Sequence, residues 1–108
     1  MSPAKAPPDF LLFLADQLAG LPDFTWKRMF GGYGLYAGGV FFGIVADGRF
    51  YFKTSTVTRK SYLDEGMAPF RPTEKQTLKN YYEVPVRIIE DADALLAWAG
   101  TSVQQSCA

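Results

Sequence analysis

The sequence predicts an α+β domain with a single antiparallel sheet flanked by helices. Residues 28–53 are rich in aromatic and β-branched residues and are interrupted mainly by glycines. This composition is typical of short strands joined by tight turns. Before and after this segment, residues 10–18 and 92–99 carry apolar side chains at helical spacing. The centre of the protein is therefore a sheet with a helix at each end of the chain.

Length and composition fit one domain. The chain has 108 residues, of which 48% are hydrophobic, enough for one core. We expect residues 1–108 to form this domain, with flexible ends at residues 1–8 and 103–108. The single cysteine, Cys107, excludes an internal disulfide, and no segment is long and apolar enough to span a bilayer. These features favour a cytoplasmic protein without membrane contact.

The first half of the chain predicts one helix and a four-stranded meander. Asp9 follows two prolines and can cap a helix that ends near Gly20. The segment Ala37-Gly38-Gly39 and the pair Asp47-Gly48 are turn sequences, so neighbouring strands should be antiparallel. The predicted strands are residues 25–30, 33–36, 40–46 and 49–53.

Alternation along the fourth predicted strand separates two kinds of side chain. Phe50 and Phe52 share one face, whereas Arg49, Tyr51 and Lys53 share the other. One side of the sheet is therefore apolar and the other amphipathic.

The second half predicts a short middle helix, one or two further strands and a C-terminal helix. Residues 57–65 follow three capping hydroxyls and precede Gly66, which is typical of a helix end. Residues 67–77 contain two prolines and are expected to be irregular. Residues 78–84 form a strand that ends at Pro85, because proline cannot donate to a ladder.

The last predicted helix carries its acidic residues at its N-terminus, where they complement the helix dipole. Residues 86–90, just before it, are either a strand or a single helical turn. Asp91 or Asp93 then caps the helix, whose apolar residues include Leu95 and Trp98.

Charge is unevenly distributed, although 11 basic and 11 acidic residues cancel. Residues 49–79 hold seven basic and three acidic residues, whereas residues 80–108 hold one basic and four acidic residues. The zero net charge argues against a general nucleic-acid coat. The aromatic and basic residues of the positive segment are the predicted interaction surface: Arg49, Tyr51, Lys53, Arg59, Lys60, Arg71, Lys75 and Lys79.

Residue types needed for catalysis or metal binding are scarce. The chain has no histidine, and its one thiol lies at the chain end. The adjacent carboxylates Asp64-Glu65 and Glu90-Asp91 point in different directions and do not form an acid–base pair. We therefore predict no catalytic residue, no metal site, no cofactor and no enzyme.

A glycine cluster at residues 31–34 resembles a phosphate-binding loop only superficially. A phosphate loop needs a following helix and a Lys-Ser or Lys-Thr pair, whereas this cluster leads into Leu35 and Tyr36. The cluster instead predicts a bend or bulge that allows close strand contact.

Several sequence blocks, spread over most of the chain, match the pattern of a known protein family. They are RMFGGYGLY at 28–36, FFGIVADGRFYFK at 41–53, GMAPF at 66–70, and YYEVP at 81–85 followed by LLAWA at 95–99. Through them the sequence resembles the TfoX N-terminal domain, the amino-terminal half of a bacterial competence regulator, which also occurs as small stand-alone proteins.

This resemblance implies a single antiparallel sheet with flanking helices, grouped with folds like those of secretion chaperones. It implies no enzyme and no cofactor, and a regulatory association through protein contacts. The residues that carry the resemblance have a structural role in this interpretation: Arg28, Met29, Phe30, Gly31, Gly32, Tyr33, Gly34, Gly66, Pro69, Phe70, Tyr82, Pro85 and Trp98.

Three functions remain open at this point. The first is a regulatory protein-interaction module linked to transcriptional control of DNA uptake, with a partner in the transcription machinery and a homodimer as a further expectation. The second is a nucleic-acid binder, in which Tyr33 joins the basic and aromatic side chains on one sheet face. The third is a small-ligand module with an aromatic cleft lined by Trp26, Phe30, Tyr62, Phe70 and Trp98.

Overall fold

The computed structural model describes residues 9–29 and 32–107 of the chain. Six strands form one sheet in the order β1-β2-β3-β4-β6-β5, and every neighbouring pair is antiparallel. The predicted α+β class with a single antiparallel sheet is therefore confirmed. The elements are α1 Asp9–Gln17, β1 Phe24–Met29, β2 Gly32–Ala37, β3 Val40–Ala46, β4 Arg49–Lys53, α2 Arg59–Asp64, β5 Pro69–Thr73, β6 Gln76–Glu83, α3 Val86–Ile89 and α4 Ala92–Cys107.

The first four strands form the predicted meander. β3 and β4 have the predicted bounds. Gly38 and Gly39 turn the chain between β2 and β3 with φ of 57° and 82°, values that favour glycine because it lacks a Cβ. These two residues fix the antiparallel register of the hairpin.

A bulge at Phe42 gives β3 its two different faces. Leu35 pairs with Gly43 and Tyr36 pairs with Phe41, so Phe42 is the extra residue. Phe42 and Val45 then belong to the main core, whereas Phe41 packs with the buried Ile44 on the other side of the sheet. The bulge therefore shifts the alternation of β3 by one residue.

The main core lies between the sheet and the helices. α1, α2, α3 and α4 all contribute buried residues to it, together with β2, β3 and β4. Rings from neighbouring strands meet there, such as Phe42 and Phe52 with centroids 5.5 Å apart. The buried residues of this cluster are Leu11, Leu14, Leu18, Leu35, Ala37, Phe42, Val45, Phe50, Phe52, Tyr62, Val84, Ile88, Leu95 and Ala99.

A buried hydroxyl joins α4 to the bulge. Ser102 is 1% exposed, and its Oγ lies 3.0 Å from the carbonyl oxygen of Phe42 and 2.9 Å from that of Lys53. Gln105 Nε2 also donates to the Lys53 carbonyl. A bulge leaves backbone groups without a partner in the strand ladder. The Ser102 hydroxyl group supplies a hydrogen-bond donor at this place, where the neighbouring strand supplies none.

The prediction that residues 67–77 are irregular is wrong. Pro69 to Thr73 form β5, which pairs with β6 at the edge of the sheet. Proline is tolerated there because an edge strand needs donors on one side only. The pairing shifts register between Pro69 and Phe70 and again between Phe70 and Thr73, so the hairpin is bulged rather than absent.

The remaining differences concern the bounds of elements. β1, β2 and β6 are offset from the predicted ranges by one or two residues. α1 ends at Gln17 and α2 begins at Arg59, so both are shorter than predicted. Residues 86–89 form the single helical turn, one of two predicted alternatives. α4 continues to Cys107, and Val103 packs against the main core, where a flexible end was expected from residue 103.

At the start of α4, the carboxylate of Asp91 accepts a hydrogen bond from Ala94 N, the capping role foreseen for it. The expected flexible segment 1–8 and the residues Phe30 and Gly31 lie outside the described ranges. Within those ranges, no helix is long and apolar enough to cross a membrane.

Candidate functional site

The sheet face opposite the helices is the candidate site, and we call it the open face. Among the described residues, a second apolar cluster lies there and contains strand residues only. Ile44, Ala46 and Phe70 are its buried members, with Phe41, Tyr51, Leu78 and Tyr81 partly buried around them. This second cluster defines the open face.

Aromatic rings cross the open face from strand to strand. The ring of Phe41 lies between those of Tyr36 and Tyr81, with centroids 5.2 and 5.5 Å away. The rings of Tyr51 and Phe70 are 4.7 Å apart. All these pairs are tilted rather than parallel, as aromatic pairs prefer. The half-buried rings form a cohesive, amphipathic surface with hydroxyl groups at Tyr36, Tyr51 and Tyr81.

Cationic groups border the aromatic rings. Lys27 Nζ lies 5.2 Å from the centroid of Tyr36, a cation–π distance. At the β4 end, Lys53 pairs with Tyr81 across the strands. Arg49 Nη1 donates to Glu83 Oε1 at 3.0 Å. The open face is therefore bordered by positive charge, and Glu83 offsets part of it.

Burial changes the acidity of the phenols on this face. It raises the pKa of Tyr51, and the nearby Glu83 carboxylate adds to this rise. Burial likewise raises the pKa of Tyr81, helped by Tyr36. The hydrogen bond to Glu83 raises the pKa of Arg49 above its usual value. The Tyr51 and Tyr81 phenols therefore stay neutral donors at physiological pH, and they can bind acceptors without bringing charge.

The structure divides the predicted interaction surface among three places. Arg49, Tyr51 and Lys53 share β4, with Tyr51 in the open-face cluster, as alternation predicted. Arg71, Lys75 and Lys79 belong to the β5–β6 hairpin. Arg59 and Lys60 lie on α2, whose Tyr62 packs into the main core. The eight residues therefore come from one strand, one hairpin and one helix.

Several of these cations already have partners. Arg59 donates to Asn80 Oδ1 at 2.9 Å and lies 5.6 Å from the ring centroid of Tyr82. Lys60 forms an ion pair with Asp64 one helical turn away. Arg71 donates to the carbonyl of Glu74. Much of the positive charge of residues 49–79 thus holds the local structure together.

Sequence reasoning missed Tyr36, Phe41 and Lys27 as members of the open face. Alternation along β2 places Tyr36 and Leu35 on opposite faces of the sheet. The bulge that places Phe41 beside Tyr36 has no clear signal in the sequence. Tyr33, which was expected beside Tyr51, instead packs against the main core. The sheet face of Tyr33 was therefore assigned wrongly.

The predicted aromatic cleft does not form from the described residues. Tyr62 and Trp98 meet edge to face at 4.7 Å in the main core. Trp26 also packs against that core, whereas Phe70 lies in the cluster on the opposite face. Phe30 lies outside the described ranges. The sheet separates Phe70 from the other three described side chains, so these four do not line one cavity.

Two small hollows are present elsewhere. One, of about 120 Å³, is lined by Thr58, Ser61, Tyr62, Trp98 and Thr101. Burial strongly raises the pKa of Tyr62 there. The other, of about 280 Å³, lies along β1 and is lined by Phe24, Thr25 and Trp26. The first is smaller than an ordinary small-molecule pocket.

The glycine cluster serves strand packing. A Cβ on Gly32 would lie 1.9 Å from the Val45 carbonyl oxygen, and one on Gly34 would lie 2.7 Å from the Met29 sulfur. Both glycines belong to β2, with no helix directly after them. The prediction of close strand contact is confirmed for Gly32 and Gly34.

Other family-pattern residues also occupy structural positions. Gly66 has a φ of 77° just after α2, and its amide donates to the Leu63 carbonyl. Pro85 is buried at the start of α3, and Tyr82 packs against Tyr62 with centroids 6.3 Å apart. Arg28 and Met29 end β1. Among the described residues, no group of three His, Cys, Asp or Glu side chains could hold a metal ion.

Comparison with known families finds a match over most of the chain. The family model of the TfoX N-terminal domain matches residues 16–106, which span the sheet and most of the helical layer. This domain is not a known enzymatic family. A search of curated proteins finds no match to this chain.

Proposed function

Because the chain belongs to the TfoX N-terminal domain family, we propose that it is a non-enzymatic regulatory module that binds a protein partner through its open face. The partner belongs to the transcription machinery, and the regulated process is DNA uptake. The module acts in the cytoplasm. The observation that carries this proposal is the open face, whose half-buried aromatic rings are not covered by any helix within the described ranges.

The chemistry of the open face suits a protein surface. Tyrosine is enriched in protein interfaces because it buries a large apolar area and still offers a hydroxyl group. Tyr36, Tyr51 and Tyr81 provide both, and their rings are held by neighbours. A surface ordered in this way loses little conformational entropy on binding.

Nucleic-acid binding is the second candidate, because the same face combines aromatic rings with Lys27 and Lys53. Stacking on exposed rings and salt-sensitive phosphate contacts would be its basis. The rings of Tyr36, Phe41 and Tyr81 already pack on one another, and the net charge is zero. The protein-partner proposal is therefore preferred.

Site-specific photocrosslinking tests the proposal. Tyr81 is replaced with p-benzoylphenylalanine in the full chain, expressed in its native cell. The matched position is Leu63, which is 54% exposed on α2. We expect a transcription protein to crosslink at position 81 and not at position 63. Crosslinks to nucleic acid alone would support the second candidate, and identical products at both positions would contradict an open-face site.

Charge reversal provides a second readout. Lys53→Glu changes the border of the open face, whereas Lys60→Glu changes an exposed helix residue of the same type. We expect Lys53→Glu to reduce the crosslink at position 81 by about tenfold and Lys60→Glu to reduce it less than twofold. Equal losses in the two variants would show that the effect is general electrostatics.

A further inference from the structure

The two edges of the sheet differ in how they are protected. β5 carries Pro69 and Pro72, and its pairing with β6 is interrupted twice. β1 contains no proline, and all six of its residues pair with β2 in an uninterrupted register, from Phe24 opposite Ala37 to Met29 opposite Gly32. Prolines and bulges are common ways to block further strand pairing. Only the β5 edge has them.

The direction of the β1 amides follows from one hydrogen bond. Gly38 N donates to the Asp23 carbonyl oxygen at 3.1 Å, which makes Phe24 and Ala37 a non-hydrogen-bonded pair. Alternation then directs the N–H and C=O groups of Phe24, Trp26 and Arg28 away from β2. Among the described residues, no strand pairs with β1 on that side.

The charged side chains of β1 favour a partner of negative charge. Its two charged residues, Lys27 and Arg28, are both basic and both exposed. Phe24, Thr25 and Trp26 line the hollow of about 280 Å³ along the same strand. A strand added here would place one of its rows of side chains near Lys27 and the other near the hollow.

We propose that β1 is a strand-addition site for an extended, acidic segment of a partner protein. The backbone of that segment pairs with the outward groups of Phe24 and Trp26. Its carboxylates lie beside Lys27, and its apolar side chains cover the hollow at Trp26. Main-chain hydrogen bonds supply the affinity and the alternating side chains supply the specificity. This site lies on the sheet edge beside the open face, and the two share Lys27.

Charge makes a second copy of this chain a poorer occupant. In a two-fold antiparallel pairing, residues that point to the same face must lie opposite each other. If the two-fold axis passes beside Lys27, the Lys27 ammonium groups of the two copies lie directly opposite each other. If it passes beside Trp26, the same two ammonium groups are diagonal neighbours. Like charges in these positions destabilise a strand pair.

Amide hydrogen exchange of the full chain tests this site with a defined probe. The probe is an N-acetylated, C-amidated decapeptide of alternating valine and glutamate. At saturation we expect exchange at the Phe24 and Trp26 amides to slow by about tenfold or more. The amides of Thr25 and Lys27 face β2 and serve as internal controls, because they are already bonded.

Two matched peptides and one variant separate the contributions. A peptide with lysine in place of glutamate, and a valine–glutamate peptide N-methylated at alternate residues, should leave exchange unchanged. Lys27→Glu should weaken binding of the original peptide by about fivefold or more.

Three outcomes would overturn the proposal. The first is equal protection by the acidic and basic peptides. The second is slow exchange of the Phe24 and Trp26 amides without peptide. Protection that does not depend on protein concentration would indicate a covered edge, and protection that increases with it would indicate self-association. The third is no protection at millimolar peptide.

Discussion

The two faces of the sheet carry similar aromatic residues, but these residues have different roles on each face. On the helix face, Phe42 and Phe52 are fully buried because four helices cover them. On the open face, Phe41 and Tyr81 cover each other and stay half exposed. The difference shows that an apolar side chain contributes to stability where another layer covers it. Where only neighbouring side chains cover it, it remains available for recognition.

Adjacent phenylalanines provide the strongest test of this difference. Phe42→Ala should destabilise the protein by about 3–5 kcal/mol, because it removes a fully buried ring and leaves a cavity. Phe41→Ala should destabilise the protein by only about 1–2 kcal/mol, because the Phe41 ring is half-buried and its aromatic contacts are with side chains of the sheet itself. Urea denaturation followed by circular dichroism measures both values. Equal losses would mean that the open face is as much a core as the helix face.

The link between α4 and the bulge gives a smaller expected effect. Ser102→Ala should destabilise the protein by about 1–3 kcal/mol, because it leaves the buried Phe42 carbonyl without its donor. Ser106→Ala is the control on the same helix, since Ser106 Oγ donates to the Ser102 carbonyl one turn away. It should cost less than about 1 kcal/mol. If the two serines cost the same in urea denaturation, Ser102 is not a special link to the bulge.

Alkaline titration separates the faces without any effect near neutral pH. Burial raises the pKa of Tyr62 far more than the pKa of Tyr51 or Tyr81. A raised folded-state pKa means that the folded protein keeps a proton that the unfolded chain loses. Stability is therefore unaffected below the unfolded pKa of about 10 and falls as the pH rises above it.

Tyr62→Phe should remove most of this alkaline loss, whereas Tyr51→Phe should remove little of it. Absorbance at the phenolate band, recorded with the unfolding transition, measures both. We expect Tyr51 and Tyr81 to ionise before the cooperative unfolding that exposes Tyr62. Ionisation of all tyrosines in one step with unfolding would contradict the difference between the faces.

Local patterns were sufficient for much of the fold. The turn residues Gly38-Gly39 and Asp47-Gly48 determined the meander, because their backbone conformations suit tight antiparallel turns. Strict alternation placed Phe52 and Lys53 on opposite faces of β4. The β5 strand was missed because proline content is informative only when the neighbours of the strand are known. At an edge, a missing donor is harmless.

The sequence by itself determined the fold class, the family resemblance and the faces of β4, since these depend on residue type and on spacing along one strand. Tertiary structure alone decided that Phe41 joins Tyr36 and Tyr81, that Tyr33 turns to the core, and that β1 and β5 are the edge strands of the sheet. A bulge, a ring contact between strands and the order of strands in a sheet all depend on pairing between distant residues. No local pattern in the chain records that pairing.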